Sequence, residues 1–126
     1  FVSTSEQGQV QVNVTSPRTT SPVVSESFIL TAGTVKHIAL SSNFIQPQST
    51  GKHERGIRVV ASGEVTVQGY NMRPSVTSAG FTGIPTDAGG TEYYAVTWGY
   101  YNHAVIGIVA IHDNTHITVT SNINEG

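Results

Sequence analysis

The residues best placed to do chemistry are His112, Asp113 and His116, in "HDNTH". Two imidazoles and a carboxylate form a ligand set for Zn²⁺ or Cu²⁺. On a helix, histidines four apart share a face. Here the flanking residues alternate as strands do, and Asp113-Asn114 is a turn signal, so the histidines flank a hairpin turn. The segment reads as a solvated turn, and it has too few acids for a Ca²⁺ loop. Lys52, His53, Glu54 and Arg55 read as a solvated charge run in a loop, and His37 lies on an alternating strand. His103 joins Tyr100 and Tyr101 as a candidate patch for stacking against a sugar. Glu64 and Glu92 lie on strands, but nothing pairs them as acid and base; Glu92 is expected to partner Arg58 or Arg73. There is no Gly-x-Ser-x-Gly elbow and no phosphate-binding glycine loop. The expectation is therefore no catalytic, cofactor-binding or metal residue, hence not an enzyme and no cofactor. Asn13-Val14-Thr15 is the one N-glycosylation sequon, which makes Asn13 a candidate acceptor in a host that has the machinery.

These residues sit on elements with the period of strands. Val10, Val12 and Val14 alternate with Gln9, Gln11, Asn13 and Thr15, as in a half-buried strand. Val65 and Val67 alternate with polar neighbours, and so do Ile117 and Val119. "AVIGIVAI", residues 104–111, is apolar on both faces, which suits a strand covered on both sides or one that meets another chain. No helical stripe of useful length occurs, and β-branched residues dominate. Turn signals at "TAGT" (Thr31 to Thr34), Ser62-Gly63, Asp113-Asn114 and Gly89-Gly90 punctuate the chain. The reading predicts strands near 1–5, 9–15, 23–30, 34–41, 57–62, 64–71, 91–98, 104–111 and 116–121, with loops over 42–55 and 72–89. That is an all-β antiparallel sandwich of eight or nine short strands.

Composition narrows the function classes. A chain of 126 residues suits one domain with one core. Only 11% of residues are charged, against a usual quarter or so. A net charge of −2 offers no field to steer nucleic acid or anionic lipid. No apolar run nears the roughly 18 residues of a membrane-spanning helix. The chain has no Cys, which excludes disulfides and thiolate metal sites. It begins with Phe1, and the expectation is a chain that has lost a leader or is a piece of something longer. Low charge and abundant hydroxyls point to an extracellular or cell-surface protein.

The chain also ends with a degenerate copy of its beginning. "FVSTSEQGQVQVNVTS" at the start and "IVAIHDNTHITVTS" near the end align without gaps at an offset of 107 residues. Phe1 falls on Ile108, Val2 on Val109, Glu6 on Asp113, Val10 on Ile117 and Val12 on Val119. Each copy reads as a hairpin. A 107-residue period implies one repeat unit, 1–126 being that unit plus a strand and hairpin of the next from about Gly90. The first unit then lacks its opening strand, and "TEYYAVTW", residues 91–98, is the natural supplier, to its own chain or to the next. Removing residues 90–126 should on this reading leave an unstable remnant.

Three stretches carry a family resemblance: "EVTVQGYN" from Glu64, "GFTGIPTDAGGTEYYAVTW" from Gly80, and "IGIVAIHDNTHITVT" from Ile106. The chain resembles the N-terminal domain of IgGFc-binding protein and its bacterial relatives over nearly its whole length, Gly-Thr-Glu-Tyr after "IPTDAGG" being the most specific part. The resemblance implies an extracellular all-β repeat module. Two departures stand out. The family's Phe- or Tyr-containing strand before the first hairpin is absent, and so are its cysteines, which puts covalent crosslinking in doubt. Immunoglobulin binding belongs to the namesake and carries over to no residue here.

The expected function is a non-enzymatic, self-assembling subunit of a fibre, sheath or matrix, joined by strand donation. Tyr93, Tyr94, Val96, Trp98, Ile106 and Ile108 are the candidate self-association residues, because aromatic rings bury large area with few torsions. The alternative is a glycan- or protein-binding adhesive module of a larger surface or mucus-like protein, using Tyr100, Tyr101 and His103. Expected partners are copies of the chain itself, with glycan or extracellular protein in the alternative, and neither nucleic acid nor a membrane.

Overall fold

The computed structural model describes residues 1–17, 23–41, 50–73, 77–96 and 106–120. The chain divides into two compact units, Phe1–Tyr94 and Ala95–Gly126. The described residues of the first form an antiparallel β-sandwich of seven strands: β1 (Val2–Ser3), β2 (Gln9–Thr15), β3 (Ser25–Thr31), β4 (Val35–Lys36), β5 (Arg58–Ala61), β6 (Thr66–Arg73) and β7 (Thr77–Thr82). Sheet I has the order β4-β1-β6-β7 and sheet II the order β3-β2-β5. One 3₁₀ turn, Thr86–Ala88, follows β7. Among the described residues no helix is long and apolar enough to cross a membrane.

The alternation of β2 organises the core. Val10, Val12 and Val14 point inward while Gln9, Gln11, Asn13 and Thr15 point to solvent. Each inward valine has inward neighbours on the same sheet: Val10 pairs with Leu30, Val12 with Phe28 and Ala61, and Val14 with Val59. Val12, at 0% exposure, belongs to a cluster with Val2, Val10, Val14 and Leu30, and Val67 of β6 and Val65 just before it pack against that cluster. Turn chemistry matches the expected signals. Gly8 and Gly33 take left-handed backbone, which only glycine adopts cheaply, and Thr34 caps the "TAGT" turn with its hydroxyl donating to the Thr31 carbonyl.

The opening segment corrects the expected hairpin. β1 lies in sheet I between β4 and β6, and β2 lies in sheet II between β3 and β5. The two strands therefore form an arch that bridges the sheets, and neither lacks a neighbour. A knot of hydrogen bonds holds the arch. The buried Thr4 hydroxyl donates to the Glu64 carbonyl at 2.6 Å and accepts from the Glu6 N–H at 3.1 Å, while the Glu6 carboxylate accepts from the Glu64 N–H at 2.6 Å. The arch thereby clamps the short β5–β6 turn. Thr4→Val leaves the Glu64 carbonyl and the Glu6 N–H without this partner, and a loss of about 1–3 kcal/mol of stability is expected in chemical denaturation.

Two further expectations are revised. Residues 77–82, read as loop, form β7. Of the strands expected at 91–98, 104–111 and 116–121, the described parts, 91–96, 106–111 and 116–120, pair with no strand among the described residues.

Candidate functional site

The segments expected to mediate self-association are exposed. Tyr93, Tyr94 and Val96 lie on extended chain after the 3₁₀ turn, Val96 at 97% exposure. Local bonds orient the two rings: the Tyr93 hydroxyl accepts from the Gly90 N–H, and the Tyr94 hydroxyl donates to the Glu92 carboxylate at 2.8 Å. Tyr94 thus holds Glu92, in place of the expected arginine. Ile106 and Ile108 are also exposed. Trp98, Tyr100, Tyr101 and His103 lie outside the described residues.

"HDNTH" is a turn. The Thr115 hydroxyl donates to the His112 carbonyl at 2.7 Å, and Asn114 takes the left-handed conformation that Asn tolerates. No group of three or more His, Asp or Glu residues among those described is placed to hold a metal. Lys52, His53 and Glu54 are exposed on their loop. Asn13 projects from the outer face of sheet II, where its Oδ1 accepts from the Ser27 hydroxyl at 2.6 Å.

The arch geometry gives the internal repeat a physical meaning. In the first copy the positions Val2, Thr4, Val10 and Val12 are buried. Their counterparts in the second copy are Val109, Ile111, Ile117 and Val119. All four are exposed, Val109 at 72% and Val119 at 68%. A turn separates the two arms in the second copy as in the first, and Asp113 stands where Glu6 does. The second copy has the inward pattern of an arch and no sandwich around it.

A complementary feature lies on the first unit and escaped sequence reading. Phe81 pairs with Gly69 across β6 and β7, so it points to the same side as Val65 and Val67, toward the core. Its ring lies over Gly69, where a Cβ would collide with it. Phe81 is nevertheless 70% exposed. It lines a hollow of about 300 Å³ with Gly69 and Gly80. A second groove, of about 320 Å³, runs along β3 between Val24, Glu26, Ile38 and Ala39. The one available signal for the first hollow was a lone Phe in "TSAGFT".

Neither family models, curated proteins nor solved structures give a match to this chain. Function therefore rests on the surfaces just described.

Proposed function

We propose that this chain is a non-enzymatic structural protein of the cell exterior, a β-sandwich subunit that joins copies of itself into a fibre, sheath or matrix by donating C-terminal strands. The observation that carries it is the opposite fate of one pattern: Val2, Val10 and Val12 are buried, whereas Val109, Ile117 and Val119 are exposed. Full burial of such a side chain contributes about 1.5–3 kcal/mol, so the uncovered arch is a standing drive toward association. Donation from the end of one chain to the body of the next is heterologous, and such contacts either close into rings or extend as fibres. β4 and β6 fill the opening slot that residues 91–98 were expected to enter, so the donor is the second arch, within residues 106–120. Low charge, abundant hydroxyls and the resemblance to the IgGFc-binding N-terminal domain support an extracellular setting.

A second reading is an adhesive module for glycan or extracellular protein. The exposed, locally oriented rings of Tyr93 and Tyr94 favour it, since such rings stack on sugars or anchor a protein interface.

Light scattering and electron imaging of the purified chain distinguish the two. Assembly predicts particles whose mass rises with concentration far above the 13.4 kDa chain. A monomer at every concentration, retained on a glycan array, would select the adhesive reading.

A further inference from the structure

The two rims of the sandwich are built differently. One rim is formed by the edge strands β3 and β4. Glu26 pairs with the buried Val14, and Lys36 pairs with the buried Val2. Both charged side chains therefore stand on the core-facing side of an edge strand, with the Lys36 ammonium 5.6 Å from the centre of the Phe28 ring. β4 is only two residues long. Short edge strands and inward-pointing charges are devices that block the addition of a further strand.

The other rim, formed by β5 and β7, has strands of four and six residues and no charge at a core-facing position among its described side chains. Val59 and Ala61 of β5 and Phe81 of β7 occupy the core-facing positions. Sheet I extends to β7, whereas sheet II stops at β5. Since β3 lies against β4 through the Lys36–Phe28 contact and a short turn joins β5 to β6, β7 is the strand left without a counterpart. The exposure of Phe81, on the core side of its sheet, is the result.

Resting on the assembly reading above, we infer that residues 116–120 of a second copy add to the free edge of β5 as a fourth strand of sheet II, laying Ile117 and Val119 over Phe81. The pattern of this segment fits that slot from both sides. Ile117 and Val119 supply the inward face. His116, Thr118 and Thr120 would stand outward beside Arg58 and Val60 of β5, on the face that β2 continues with Gln11, Asn13 and Thr15. Residues 106–111 fit less well, because their second apolar face would be left in solvent beside Arg58. Main-chain bonds to β5 give affinity, and the alternate side chains seated on Phe81 give register.

Two half-disabled chains test this. Phe81→Asp keeps the donor and loses the acceptor, and the double variant Ile117→Asp/Val119→Asp keeps the acceptor and loses the donor. Each alone should stay at 13.4 kDa, and their mixture should form a one-to-one pair and nothing larger. Independently, cysteines introduced into this cysteine-free chain report the edge. Val60→Cys marks the outer face of β5, Ile29→Cys that of β3, and His116→Cys, Thr118→Cys and Thr120→Cys mark the donor. With oxidised glutathione as the oxidant, two thiols become one disulfide while glutathione is reduced. The best β5–donor pair should crosslink at least tenfold faster than any β3–donor pair. Polymers of Phe81→Asp as large as those of the unaltered chain, or preferential capture at Ile29, would overturn the β5 site and leave assembly standing. An unaltered chain that stays monomeric would overturn both.

Discussion

Val12→Asp is expected to abolish cooperative unfolding of the first unit. Val12 is wholly buried on the central strand of sheet II, between Phe28 on one side and Ala61 on the other. A carboxylate there would stand among the apolar side chains of Phe28 and Ala61, and an uncompensated buried charge costs about 3–5 kcal/mol. The fully buried apolar core, among the described residues, consists of five side chains, so that loss is a large share of the roughly 5–15 kcal/mol that holds a domain together. Circular dichroism should show the β signal lost or a melt without a sigmoid. Ile29→Asp is the matched control: on β3, opposite Gln11, its side chain points to solvent, and a cost of about 1 kcal/mol, from strand propensity alone, is expected. Equal effects at the two positions would mean that β2 has been assigned the wrong inward face.

A chain cut after Tyr94 should fold as well as the whole and fail to assemble. Every member of the buried cluster and all seven strands precede the cut, and the first unit is compact on its own. Its unfolding free energy should change by less than about 1 kcal/mol, the size of effect usual for changes away from a core. Its mass in solution should be that of the shortened monomer at every concentration. This reverses the sequence expectation of an unstable remnant, which assumed that the opening strands lacked neighbours. A shortened chain that aggregates or melts early would show instead that the C-terminal segment closes its own sandwich.

What could be read from the residues, and what could not, follows one physical line. Period-two alternation states which side of a strand is buried, and it located β2, β3 and β6 within a residue or two. It does not state which strand is the neighbour. Residues 4–8 are long enough to turn within a sheet or to cross between sheets, so the opening arch passed for a hairpin. The deciding contacts, Thr4 and Glu6 on Glu64, span about sixty residues. β7 was missed because Ala79 and Gly80 separate the strand-favouring Thr77 from Phe81 and Thr82 in a stretch otherwise rich in Gly and Pro; it pairs because β6 offers an unfilled edge, with Gly69 making room for the Phe81 ring. Residues 106–111 and 116–120 were read as parts of strands from a pattern that is present, yet a strand exists only in partnership, and they find no partner strand among the described residues. The guarded rim was invisible for a related reason. Glu26 and Lys36 are ordinary charges until pairing with Val14 and Val2 shows which way they face.

The place of Asn13 has a consequence for any glycosylated form. An N-linked sugar attaches through Nδ2, which leaves the Oδ1 that receives the Ser27 hydroxyl undisturbed. It would rise from the middle strand of sheet II, between the outward residues Ser27 of β3 and Val60 of β5. Two such faces carrying glycans could not lie flush, so in the assembly proposed above a hydrated carbohydrate layer would keep neighbouring filaments apart and leave the rims clear for strand donation.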